Sequence, residues 1–400
     1  MRRDAMWKRA WVEVDLDALI ENYIAVRRVI PHKTKLCCVV KANAYGHGAP
    51  VVAALYETLG ADFLAVSNIE EALELRHGGI TLPILILGYT APACAEILAR
   101  HQISQSVFSK EYAEALSAEA VKAGVCVTVH IKLDSGMGRI GFSVRDEATL
   151  CESVNAIEAA LALPNLCKEG IFTHFAKSDM GDGGKDFTKA QLDAFLEATA
   201  RLEKRGITFP IRHAANSAAI FDYPESSFDM VRAGIVLYGY PPSDDLSSPC
   251  TLSPALSVKS VVSMVKTVKA GESVSYGGDF VADSFSRIAT VPIGYADGLW
   301  RSMEKNRLSL SFGGIPTPIV GRICMDQCMI DVSACGAVAV GDTVTVFGVG
   351  GESVEALAKR AGTIPYEIVC ALGARLPRVY LEHGERVAIR DRILPMDDPE

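Results

Sequence analysis

The amino-acid sequence predicts an α/β fold: a (β/α)8 barrel of the TIM type, with a doubly wound open sheet as the structural alternative, followed by a mostly β C-terminal domain. Three observations carry this expectation. Short apolar runs recur at fairly even intervals, each followed by a polar or Gly-containing loop and a helical stretch, as parallel strand–helix units require. Between 241 and 254 the chain becomes rich in Pro, Ser and Asp, as a linker does. Beyond it, Gly and Pro punctuate strand-like runs with few helices between them. A length of 400 residues accommodates a barrel of roughly 250 residues and a smaller second domain.

In order, Trp11 to Val14 alternates as a strand does, and Asp17 reads as the cap of an amphipathic helix through Ile30. The apolar runs Leu36–Val40, Phe63–Val66, Ile84–Leu87, Ile103–Phe108, Val125–Leu133, Gly170–Phe175, Ile211–Ala214 and Met230–Tyr238 are the barrel strands. Ile69–His77 and Thr188–Arg205 are examples of the intervening helices. The expected strands of the second domain are Ala255–Val268, Ser286–Ile293, Leu308–Phe312, Thr317–Ile323, Cys328–Val332 and Thr343–Phe347, with a helix over Ser353–Ala361 and another after Pro365. The expected division is a barrel over 12–245 and a β-rich domain over 246–387, with residues 1–11 packing on the latter.

The net charge of −8 and pI near 5.6 argue against nucleic acid or an anionic membrane as partner, while leaving room for a local basic pocket. The 11 cysteines are odd in number and unpatterned, which predicts reduced thiols and a cytoplasmic protein. Cys324 and Cys328 have no second Cys or His pair at zinc-like spacing, so no metal is expected. No apolar run approaches the ~20 residues of a membrane helix, and the basic N-terminus lacks an apolar secretion core.

The chemistry centres on VVKANAYGHG, residues 39–48. Lys41 stands where a buried parallel strand ends, and ligands gather at the carboxyl ends of such strands. It reads either as a lysine snorkelling to solvent or as an amine tuned to form a Schiff base. The segment Lys41-Ala42-Asn43-Ala44-Tyr45-Gly46-His47-Gly48 resembles the cofactor-lysine motif of the alanine racemases, and further matches extend from about Trp11 to about Tyr380. The resemblance favours the closed barrel. It implies pyridoxal 5'-phosphate (PLP) as cofactor, a homodimer with active sites shared between subunits, and interconversion of L- and D-alanine for peptidoglycan. A serine or broad-specificity racemase of the same family is the alternative, because a pocket sized for a methyl group rejects an added hydroxyl only weakly.

The resemblance also assigns roles. Lys41 carries the cofactor and serves as one catalytic base. Tyr276, in Ser273-Val274-Ser275-Tyr276-Gly277-Gly278, is the second base, reaching the other subunit. A planar intermediate held in place calls for one base on each face. Ser217 after Asn216, the amides of Gly234 and Ile235, and Tyr45 and Tyr366 take the phosphate. Arg232 faces the pyridine nitrogen; an arginine can only donate there, which leaves that nitrogen unprotonated. His174 lies near the ring. Arg139 and the amide of Met325 contact the substrate carboxylate, Tyr295 narrows the entrance, and Lys132 is either carbamylated or paired with Asp134. The departures from the pattern are Ala233, Leu299-Trp300 and Asp279.

Overall fold

The computed structural model describes residues 8–248, 251–306 and 308–392. The first strand, β1 (Ala10–Asp15), precedes a helix over Leu16–Val29. There follow β2 (Lys35–Val39), β3 (Phe63–Val66), β4 (Ile84–Ile86), β5 (Ile103–Val107), β6 (Val127–Asp134), the short β7 (Phe142–Ser143), β8 (Leu166–Phe172), β9 (Ile211–His213) and β10 (Met230–Ala233). Strands β2, β3, β4, β5, β6, β8, β9 and β10 pair in parallel in that order. The β10–β2 pairing closes the ring, so the barrel has no open edge. All eight sequence-predicted barrel strands are present, but the last ends at Ala233, because the chain turns into a 3-10 helix over Ile235–Tyr238.

The chain forms two compact units. One comprises Ile20–Ala44 and Ala49–Leu252; the other takes the described residues up to Leu19, the short stretch Tyr45–Gly48, and everything from Ser253 on. In the second unit β11 (Leu256–Val261), β12 (Met264–Val268), β13 (Ser273–Val274), β14 (Phe280–Val281), β15 (Ser286–Val291), β16 (Ser309–Phe312), β17 (Ile315–Pro318), β18 (Cys328–Asp331), β19 (Thr343–Gly348), β20 (Arg378–Glu382) and β21 (Glu385–Arg390) follow. One sheet runs β17-β16-β19-β11-β1-β20-β21, so the N-terminal strand belongs to this unit. A second sheet is β12-β15-β18, and β13 pairs with β14. Helices Val354–Ala361, capped by the Ser353 side chain, and Pro365–Cys370 agree with the sequence.

Four local expectations are corrected. The first helix begins at Leu16, and Asp15, not Asp17, accepts the Ala18 amide as its cap; Asp17 instead accepts the backbone N–H of His383. The single strand over 255–268 is two strands in different sheets, because the chain changes partner at Val262 and Ser263, from β19 to β15. The strand expected over 317–323 is β17, ending at Pro318. Finally, Cys126 and Cys167 form a disulfide, Cα to Cα 6.3 Å. Their 41-residue separation hides the pairing, which the β6–β8 register creates by placing Thr128 beside Cys167. The other described cysteines are free thiols.

Candidate active site

The barrel unit collects its candidate functional residues at the carboxyl ends of the strands, where side chains are freed from the ladder. Lys41 follows β2, Lys132 lies near the end of β6, His174 follows β8, Asn216 and Ser217 follow β9, and Gly234 and Ile235 follow Arg232 on β10. Lys132 and Arg232 are buried, and Arg139 is exposed on the loop after β6. Burial first, then the charges of Arg232, Lys132, Arg139 and Lys41, hold His174 well below its ordinary pKa. Burial, Arg232 and Arg139 push Lys132 well below its own, against the pull of Asp134. Burial lowers the Arg232 pKa to about 10, still charged near neutrality. Four basic side chains thus share a mouth in which Asp134 is already engaged by the amides of Gly136 and Gly138 and by Arg145. Such a site favours an anion. The Gly234 amide donates to the Ser217 hydroxyl at 2.8 Å, and Asn216 caps the short helix Ser217–Asp222.

Lys41 enters a backbone feature with no sequence precedent in the motif's composition. Ala42, Asn43, Ala44 and Tyr45 all take left-handed dihedrals, with φ between 51° and 55°. Each such residue costs roughly 1–2 kcal/mol. Local hydrogen bonds hold the turn: Ala42 N–H to Glu71 (2.7 Å), Ala44 N–H to Val40 (2.8 Å) and Ala49 N–H to the Asn43 side chain (2.9 Å). Glu71 is anchored in turn by the Ser67 amide. The direction in which Lys41 leaves its strand is therefore over-determined, as at other strained functional positions. Tyr45–Gly48 is gripped within the second unit. Arg378 donates to the Gly46 carbonyl and Tyr380 to that of His47. A Cβ on Gly46 would lie 2.0 Å from the Val369 carbonyl oxygen, so only glycine fits.

The second unit builds a separate cluster. Tyr276 stands 70% exposed on a tight turn. The Ser275 hydroxyl donates to the Arg322 carbonyl at 2.7 Å, and Arg322 pairs with Asp279 at 2.6 Å. Tyr295 and Ala296 donate their amides to the carbonyls of Cys324 and Met325. The loops carrying Tyr276, Tyr295 and Met325 are thus laced into one patch, beside a cavity of about 680 Å³ lined by Tyr276, Met264, Lys266, Cys324 and Met329. Tyr45 and Tyr366 form a tilted aromatic pair with centroids 6.0 Å apart.

Comparison with known proteins decides the family. Residues 14–242 match the family model "Alanine racemase, N-terminal domain", and 255–380 match "Alanine racemase, C-terminal domain". The chain belongs to the alanine racemase family. The racemase of Desulfovibrio desulfuricans is 45% identical over 93% of this chain and 98% of its own length. The solved alanine racemase of Clostridium difficile 630 superposes with a TM-score of 0.92 at 40% identity, covering 97% of this chain and 100% of that one. A histidine racemase from Leuconostoc mesenteroides subsp. sake also superposes, at TM-score 0.84 and 30% identity, covering 94% and 99%. The protein is accordingly an enzyme, an isomerase of the amino-acid racemase type.

Sequence reasoning missed residues that the structure places beside the candidate site. Asp297, fully buried, accepts Arg9 at 2.6 and 2.9 Å and the Gly294 amide, and so fixes the turn that presents Tyr295. Inside the barrel, His213 bridges Arg232 and His130, and His130 reaches Glu169. One signal was available: His130 lies two residues before Lys132 on β6 and so shares its face. Nothing in the sequence joins His130 to His213.

Proposed function

We propose that this racemase interconverts L- and D-alanine with PLP as cofactor, in a cytoplasmic homodimer, and supplies D-alanine for peptidoglycan. The observation that carries the reading is the group of basic side chains around His174 at the strand ends, Arg232, Lys132, Arg139 and Lys41, in a chain of alanine racemase ancestry. That charge suits a cofactor phosphate and a substrate carboxylate, so the donor set fits PLP. Lys41 would hold its aldehyde carbon. The Ser217 hydroxyl, the amides of Gly234 and Ile235, Asn216 and the phenols of Tyr45 and Tyr366 would hold its phosphate, with Arg232 at the ring nitrogen and His174 beside the ring. When bound, the cofactor supplies an electron sink for the Cα–H bond.

The rest is done by side chains of the chain itself. The Lys41 amine takes or returns the Cα proton on one face, and the Tyr276 phenol of a second copy does so on the other. Arg139 and the Met325 amide of a second copy orient the carboxylate, and Tyr295 narrows the way in. The depressed Lys132 amine is a nucleophile for carbon dioxide; the carbamate would place a negative charge near Arg139 and release one proton.

The test is direct. Purified enzyme is offered alanine, serine and histidine, and its visible absorption is recorded with and without Lys41→Ala. Racemised alanine, with a visible band lost in Lys41→Ala, is expected. Racemisation of serine or histidine with alanine untouched overturns the substrate. A band unaffected by Lys41→Ala overturns the lysine.

A further inference from the structure

Behind Arg232 runs an unbroken chain of hydrogen bonds, buried except at its Glu169 end, that the racemisation chemistry leaves unused. Arg232 Nη1 meets His213 Nδ1 at 2.8 Å, and His213 Nε2 meets His130 Nδ1 at 2.9 Å. His130 Nε2 meets Glu169 Oε2 at 2.9 Å, and the Ser104 hydroxyl donates to that same oxygen at 2.7 Å. Both imidazoles are fully buried. Phe172 stacks on His213, centroids 4.6 Å apart and 7° from parallel. Gly170 makes room for the His130 ring, since a Cβ there would lie 2.3 Å from His130 Nδ1. The arrangement is a built channel of polar atoms, not a chance contact.

Its proton order is determined from both ends. A guanidinium only donates and a carboxylate only accepts. Arg232 therefore needs a bare His213 Nδ1, which places the proton on His213 Nε2. That proton needs a bare His130 Nδ1, which places the next on His130 Nε2, pointing at Glu169. The partner of one ring nitrogen selects the state of the other. The groups facing the relay are Lys132, Arg139, His174 and Cys37 beside Arg232, and Lys35 beside Glu169. Burial first, then Arg232 and other nearby positive groups, keeps His213 far below its ordinary pKa. Burial also lowers His130, against the pull of Glu169. Both rings are neutral, and the only full charges on the relay are Glu169 and Arg232.

We propose that Glu169 is a positioning residue for Arg232: from the far end of the relay it holds both histidines in the one tautomer series that gives the guanidinium an acceptor. The remaining Arg232 donors then stay aimed at the carbonyls of Thr173 (2.9 Å) and Ala214 (3.0 Å) and at His174. With Glu169's acceptor gone, the His130 Nε2 proton is stranded, the tautomers redistribute, and an N–H of His213 comes to face an N–H of Arg232. The link from Arg232 to the cofactor rests on the function proposed above; the tautomer order does not.

The test uses the full-length enzyme with its cofactor, labelled with 15N-histidine, and reads the ring-nitrogen shifts. Wild type should show His130 and His213 neutral and protonated at Nε2 between about pH 7 and about pH 8. Glu169→Met, which has no acceptor, should mix the tautomers and weaken PLP binding roughly tenfold, the lower range for a lost partner behind a ligand-bound histidine. Glu169→Gln keeps a carbonyl acceptor and should restore both readouts. Wild-type rings protonated at Nδ1, or charged, overturn the proposal without any variant. So does Glu169→Met with unchanged tautomers and PLP affinity, even at lower thermal stability. Correct tautomers in a wild type that fails to bind PLP would leave the relay standing and remove the functional reading instead.

Discussion

Tyr276 stands on its turn with the phenol in the open, and its expected role is tested by removing a single oxygen. Tyr276→Phe should lower racemisation about 10²–10⁴-fold. The loss must be equal in both directions in kcat/KM, because mirror-image substrates have equal free energy. The asymmetry is expected elsewhere: in deuterated solvent, Cα exchange should persist for the enantiomer whose proton faces Lys41 and vanish for the other. Exchange lost equally for both enantiomers would count against two bases. At Ala42, the left-handed dihedral of the exposed residue costs roughly 1–2 kcal/mol. Glycine relieves it while losing only about 0.4–1 kcal/mol through the unfolded chain. Ala42→Gly should therefore stabilise the protein by up to about 1 kcal/mol in urea unfolding. Destabilisation would show that the methyl group, not the backbone, is what the turn needs.

Among the elements, strand periodicity was readable and partnership was not. The apolar runs of the barrel are each short enough to be a strand and too short for a helix, so all eight were visible. The run 255–268 was read as one strand because its side chains give no sign that Val262 and Ser263 change partners. The hairpin of β20 and β21 was not anticipated, since its middle is charged and β20 owes its place to pairing with β1. The link between β6 and β8 carries a prediction: replacing Cys126 and Cys167 with serine should cost about 3–4 kcal/mol, the loop entropy of a closure of this length. A reductant should lower the melting temperature of wild type but not of the double variant.

At the scale of the whole molecule, stability should depend on pH through buried bases. His130, His174 and His213 all have lowered folded pKa values, caused first by burial. Below the unfolded value of about 6.5 the unfolded chain takes up protons that the folded protein refuses. Their contribution is complete above about pH 6.5 and is lost as pH falls, by up to ~1.4 kcal/mol per unit for each histidine. Unfolding free energies between about pH 5 and 8 check the slope; a flat profile would mean that these rings take up protons as readily when folded as when unfolded. Lys132 acts at the alkaline end. As a free amine with a lowered folded pKa, it should make stability rise with pH towards about 10.4.

What the sequence determined by itself was everything governed by short-range pattern. The period of apolar residues named the barrel strands, the linker composition near 241–254 marked the change of texture, and the residues around Lys41 and Tyr276 named a family. Tertiary structure alone decided which distant residues meet: Cys126 with Cys167, Arg9 with Asp297, and Glu169 with His130, His213 and Arg232. The reason is physical. Strand and helix signals arise between residues a few positions apart, whereas His130 and His213 are 83 residues apart in sequence and are joined only by the register of β6, β8 and β9 and by the space that Gly170 leaves for the His130 ring.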